Sequence, residues 1–159
     1  MADMEKAKVV YEGLCNALTH AEWKFKRFDE DLAIGTGAQG DDLPISFIVS
    51  VDANRDLVLL LSKMDFEVKE DKRMEMAVAI TVVNNKLANG NFDLDLGNGT
   101  LTYRMALSYR GSILGREAYD YLIHTSVSTI DEFNEKFLAL ATDMMDLEKF
   151  LEVISKEKE

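Results

Sequence analysis

The chain is short of the residues on which most site chemistry depends. Its 159 residues include one cysteine (Cys15), two histidines (His20 and His124), one proline (Pro44) and one tryptophan (Trp23). A lone cysteine excludes an intramolecular disulfide framework and suits a reducing compartment. No second histidine or cysteine stands at ligand spacing from either imidazole, so no zinc pattern forms. No apolar run approaches the ~20 residues of a membrane-spanning helix. The start, Met1-Ala2-Asp3-Met4-Glu5-Lys6, lacks the basic region and apolar stretch of a secretion signal, so a cytoplasmic protein is expected. Positive charge is scarce as well: 18 Lys plus Arg against 29 Asp plus Glu, a net of −11. That field repels phosphate backbones and anionic lipid heads, and no basic, aromatic-interleaved stripe offsets it. Neither nucleic acid nor membrane is expected as a partner. The acidic excess reads as solubility.

What is present is ordinary globular material. The hydrophobic fraction is 47% and the charged fraction 30%, which argues against disorder. Nothing repeats at a fixed period and no Pro/Ser-rich linker divides the chain, so a single domain over residues 1–159 is expected. Ala7, Val10, Tyr11, Leu14 and Leu18 recur at three- and four-residue spacings, one face of an amphipathic helix with Asp3 as its N-cap. From Trp23 the period becomes two. Trp23 and Phe25 alternate with Lys24 and Lys26 as a short half-buried strand, and a second short strand is possible around Leu32 to Gly37. Ile45, Phe47, Val49 and Val51 then face one way, and Ser46, Ile48 and Ser50 the other. Asp52 to Asp56 is turn chemistry. Leu57 to Leu61 has no polar residue, as in a central strand apolar on both faces.

Residues 70–88 admit two readings. Met76, Ile80, Val83 and Leu87 step by helical spacing, whereas the β-branched run Ile80-Thr81-Val82-Val83 suits a strand; length favours the helix. Asn98-Gly99 between two alternating runs predicts a tight type I′ hairpin. In that register Leu96 opposes Leu101, Leu94 opposes Tyr103 and Phe92 opposes Met105. Asp95 meets Thr102 and Asp93 meets Arg104 on the other face. After Gly115 the helical period returns through Tyr119, Leu122, Ser126, Ile130, Phe133, Phe137, Leu140 and Met144. This is one helix, or two if the capping-box pattern of Thr129 and Glu132 starts a second. Leu147, Phe150, Leu151 and Ile154 form a last amphipathic helix ending in a charged tail. The order is α-β-β-β-(β)-α-β-β-α-α, an α+β protein with one antiparallel sheet of about five to six strands.

Each candidate for chemistry fails on its context. Gly35-Thr36-Gly37-Ala38-Gln39-Gly40 matches G-x-G-x-x-G, but Asp41, Asp42, Leu43 and Pro44 follow where a phosphate-binding helix should begin, so a flexible loop is expected. Asp93-Leu94-Asp95 with Gly97 imitates a calcium loop, yet Gly97 and Asn98 fall at the wrong positions and Arg104 stands where a bidentate glutamate belongs. His20 closes the first helix, where the helix dipole suits an imidazolium. His124 lies beside the apolar stripe of its helix. Cys15 adjoins Leu14 on the core-facing side, a packed thiol. The acid pairs Asp41-Asp42 and Asp131-Glu132 are ordinary on so acidic a surface. No nucleophile, base and orienting group fall within reach of one another. The expectation is a non-enzyme with no catalytic, cofactor-binding or metal residue.

The stretch Asn85-Lys86-Leu87-Ala88-Asn89-Gly90-Asn91-Phe92-Asp93-Leu94-Asp95, with Lys72-Arg73 upstream, resembles the bacterial YbjN family, also described as sensory transduction regulators. In that family a helix ends in an Asn-x-Leu-like segment and Gly-x-Phe opens a hairpin. The partner strand there is similar to Gly99-Thr100-Leu101-Thr102-Tyr103-Arg104, and a helix follows as Gly115 to Leu122 would here. The resemblance covers roughly residues 23–140. It implies a twisted antiparallel sheet with packed helices, similar to type III secretion chaperones and often dimeric, and it makes the segment at 70–88 a helix. It brings no active site. Gly90 would permit a turn conformation and Phe92 would anchor the hairpin. Asn84 and Asn85 would cap the helix or serve as surface contacts, capping being favoured.

The expected function is a protein-binding, chaperone-like regulatory adaptor, as a homodimer, with the partner unspecified. Eight methionines could supply an adaptable surface, though core filling is the readier use. The alternative is a small-ligand sensor with a pocket between sheet and helices.

Overall fold

The computed structural model describes residues 2–156. Helix α1 (Met4–His20) starts where the Asp3 carboxylate accepts the Lys6 amide at 3.0 Å, and it buries Ala7, Val10, Tyr11, Leu14 and Leu18 along one side. Glu22, at φ 60°, reverses the chain, and the Trp23 amide closes on the Leu18 carbonyl at 2.9 Å. This reversal displaces the expected strand at Trp23 and Phe25. Strand β1 begins later, at Lys26–Phe28, and Trp23 instead packs edge-on against Phe47 with ring centroids 5.8 Å apart.

Three strands follow: β2 (Ala33–Gln39), β3 (Pro44–Asp52) and β4 (Leu57–Glu67). Helix α2 (Arg73–Asn84) and the hairpin β5 (Asn91–Leu94) and β6 (Thr100–Ser108) come next. Helices α3 (Arg116–Ala141) and α4 (Leu147–Lys156) complete the described chain. All six strands form one antiparallel sheet in the order β1-β2-β3-β4-β6-β5. The architecture is α+β as expected, with the optional fourth strand of the first run present. The flexible loop expected at Gly35–Gly40 is largely strand: β2 runs to Gln39, and Gly35 there lies under the Phe28 ring, where a Cβ would come within 3.3 Å.

Alternation along the strands sends Ile45, Phe47, Val49, Val51, Val58, Leu60, Leu101, Tyr103 and Met105 to one face, where α1 and α3 cover them. Phe92 meets Tyr103, Phe133 and Phe137 edge-on at 4.9–6.1 Å between centroids. Phe137 stacks on Phe150 at 5.6 Å, which carries the core out to α4. Phe92 is the hairpin anchor that the resemblance implied.

The hairpin itself differs from expectation by two residues. Leu94 pairs with Leu101, Phe92 with Tyr103 and Asp93 with Thr102. The Asp95 carboxylate accepts the amides of Gly97 and Asn98, and the Gly99 amide reaches the Asp95 carbonyl at 2.7 Å. That side-chain capping makes a four-residue loop in which only Gly99 has positive φ (80°), whereas a type I′ turn needs two such residues. A two-residue shift leaves every side chain on its expected face. Asp93 and Arg104 still pair at 3.1 Å, diagonally.

Residues 116–141 form one helix. Thr129 is buried in mid-helix, so the apolar stripe runs past it unbroken and the capping-box pattern with Glu132 goes unused. The second helix over 70–88 is confirmed as α2, after a single 3-10 turn at Glu70–Lys72. Met144, expected on the helical stripe, lies beyond the end of α3 and is exposed. The charged tail expected after α4 lies largely outside the described residues.

Candidate functional site

The sheet is covered on one face only. On the other, antiparallel pairing aligns two rows of residues across neighbouring strands. Phe28, Ala33, Ser50, Leu59 and Ala106 form one row; Gly35, Ile48, Leu61 and Arg104 form the next. Ile48 is 53% exposed, Leu61 39% and Phe28 38%. Strand β4 is central, as its sequence predicted, but its outward leucines have no cover among the described residues. A neighbouring group of apolar side chains open to water on a sheet face is the usual mark of a surface that meets another molecule. Gly35, Ala33 and Ala106 keep the face low between the larger side chains.

A cleft opens at one end of this face. Strands β3 and β4 pair only from Ile48/Leu61 to Asp52/Leu57. Beyond that point β3 continues with β2, from Thr36/Phe47 to Gln39/Pro44, while β4 continues with β6. The Ser62 hydroxyl donates to the Ser46 carbonyl at 2.7 Å, so a side chain replaces the ladder bond where the strands part. The resulting cleft, of about 660 Å³, is walled by Leu43, Ile45, Met64 and Phe66 and floored by Ile130, Asn134 and Leu138 of α3.

Two polar side chains of this region are nearly inaccessible: Ser62 is 1% exposed and Asn134 2%. Asn134 Oδ1 accepts the Glu135 amide at 2.7 Å. No buried side-chain nitrogen or oxygen among the described residues lacks a partner, and Asn134 reaches the cleft floor. Carboxylates line part of the cleft and adjoin its α3 floor. Asp65 and Glu67 line it from β4. From the loop before β3, the Asp41 amide donates to Asp131 of α3 at 2.8 Å. The Asp42 carboxyl hydrogen-bonds Glu135 and raises its pKa above the usual range.

The residues weighed from sequence lie apart from one another. Cys15 is buried in α1, with its thiol pKa raised by burial. His20 ends α1 and His124 sits on α3, both exposed. Asp95 serves its own turn, as described, and Asp93 is paired with Arg104. Gly90 has φ 75°, as the turn reading required. Asn84 corrects the capping expectation. Its side-chain nitrogen donates to the Phe92 carbonyl at 2.9 Å and its oxygen accepts the Phe92 amide at 2.8 Å, so it holds the edge strand β5 as a neighbouring strand would. Asn85 is exposed at the helix end. Sequence reasoning missed Ser62 and Asn134. The one signal available was a serine and an asparagine each falling on the inward period of its element.

A family model described as "Putative bacterial sensory transduction regulator" matches residues 11–139. The chain belongs to the YbjN family. A search of curated proteins gave no match. Among solved structures, E. coli YbjN, described as a putative transcription regulator, superposes with a TM-score of 0.60 at 14% identity, covering 84% of this chain and 92% of that one. A chain of the HopA1–SchA chaperone–effector complex gives 0.57 at 17% identity, covering 85% and 99%. A chain of the ExsC–ExsE complex gives 0.56 at 12%, covering 85% and 96%. At these identities the likeness is one of fold, and the fold is the one that the YbjN resemblance implied.

Proposed function

We propose that this YbjN-family chain is a non-catalytic, cytoplasmic adaptor that binds partner proteins in the manner of a chaperone, as one domain and as a homodimer. The observation that carries this reading is the uncovered apolar face around Phe28, Ile48 and Leu61. Its fold likeness to a chain of a chaperone–effector complex supports the same class of role. The scattering of His20, His124 and Cys15 supports a role without catalysis. Met74 and Val78, exposed on α2, offer a second apolar ridge suited to contact between copies. Among the described residues no helix is long and apolar enough to cross a membrane.

A sensor of small ligands is the second reading, and the cleft's volume, within the range of ligand sites, favours it. Its open mouth and strand-edge walls suit a polypeptide better. Affinity capture from the native host tests the adaptor reading. Wild type and an Ile48→Asp/Leu61→Asp double variant would be compared at equal folded concentration. The adaptor reading expects defined proteins held by wild type and lost from the variant. Identical protein sets on both would contradict it.

A further inference from the structure

We infer that the cleft between β3 and β4 takes an extended, basic-flanked segment of a partner protein as an inserted strand. The inference rests on the adaptor reading and names the chemistry of what one part of that surface binds.

The main chain is the first argument. Because the Ser46 carbonyl points at β4, alternation turns the main-chain groups of Ile48 the same way, and the carbonyl of Pro44 with them. Ile48 pairs with Leu61, so Leu61 and then Lys63 face β3. Below that pair no ladder joins the two strands: residues 44–46 of β3 and 62–67 of β4 border the cleft instead. Three residues of β3 span ~10 Å of such edge. Paired strand edges facing a common gap recruit an extended chain through main-chain hydrogen bonds, and pockets for alternate side chains supply selectivity.

The interior is the second. Ile45, Met64, Ile130 and Leu138 offer apolar contact to side chains on one face of an entering strand. Asn134 lines the cleft floor, where its side-chain amide is available to a carbonyl of an entering chain.

Charge is the third. Asp65 and Glu67 line the cleft beside Lys63, and the α3 residues next to its floor, Asp131 and Glu135, are met by Asp41 and Asp42 of the loop before β3. Lys136 is already engaged with the Glu132 carbonyl at 2.6 Å. The contact between Asp42 and Glu135 is a carboxyl–carboxyl pair, which a cation would relieve. Lysine or arginine flanking the inserted residues fits this mouth, and an acidic segment does not.

The test uses the full chain and a fluorescein-labelled, acetylated peptide in which valine alternates with threonine between terminal lysines. Three forms are titrated by anisotropy: this parent, a glutamate-ended form, and the parent with alternate main-chain nitrogens methylated. The parent is expected to bind saturably, and each altered form roughly tenfold more weakly, as loss of main-chain or charge-assisted hydrogen bonds requires. Asp65→Lys/Glu67→Lys, both exposed positions, should weaken the parent by a similar factor, while Glu148→Lys, exposed on α4 and outside the cleft lining, should not. Equal binding of the methylated and parent peptides, or no binding of the parent, would overturn the inference. Failure here with partner capture still lost in Ile48→Asp/Leu61→Asp would leave the adaptor reading standing and remove only the cleft's share in it.

Discussion

Asn84 shows how one side chain can do the work of a strand. Its amide satisfies both main-chain groups of Phe92, and Phe92 is the residue that fixes the hairpin to the aromatic core. Asn84→Ala leaves that amide and carbonyl without partners in a part-buried setting. A loss of about 1–3 kcal/mol in urea unfolding is expected, and a change under 0.5 kcal/mol would show that water replaces the amide fully. Asp29 offers a second residue-scale test. The Arg27 guanidinium and the Tyr11 hydroxyl hold its carboxyl below the usual range. The fold therefore favours the charged form. Its stabilising contribution is complete above the ordinary aspartate value near 4 and is lost as pH falls through the lower folded value. Asp29→Asn should lower Tm at neutral pH and converge with wild type in acid. A gap that widens toward low pH would reverse the assignment. Cys15, buried and with its thiol pKa raised, should react with a thiol reagent such as Ellman's only after unfolding. Rapid reaction of the native chain would mean that α1 opens readily.

At the scale of elements, the parts legible in the sequence were those where period and burial agree. The first helix announced itself through Asp3 and the Ala7–Leu18 stripe, and β3 through the alternation from Ile45 to Val51. At the hairpin and in the last long helix a local signal was overridden by a contact that the local sequence does not encode. Asn98-Gly99 favours a tight turn, but the Asp95 carboxylate draws in two following amides and lengthens the loop. Thr129 with Glu132 has the pattern of a helix start, but Thr129 faces the core and the helix continues through it. Gly99 tests the revised hairpin. At φ 80°, with a Cβ there set against the Val68 carbonyl, Gly99→Ala should cost about 1–3 kcal/mol or more. A neutral substitution would argue for a different loop. The cleft was not legible at all. It arises because β3 and β4 take different partners past Ile48 and Leu61, and sheet topology of that kind is set by pairing among distant strands.

At the scale of the molecule, a six-stranded sheet has helices on one side and apolar side chains open to water on the other. Sedimentation at high micromolar concentration should give a dimer, and Met74→Asp on α2 should shift it toward monomer if that ridge joins the copies. A monomeric wild type would remove the dimer from the account. The proposed docking surface is the open face around Ile48. Site-specific photo-crosslinking in the native host tests it most directly, with a benzophenone amino acid placed at Ile48 in one strain and at the exposed Glu148 of α4 in another. A discrete crosslinked protein is expected from position 48 and none from position 148. Equal or absent crosslinking at the two positions would contradict it.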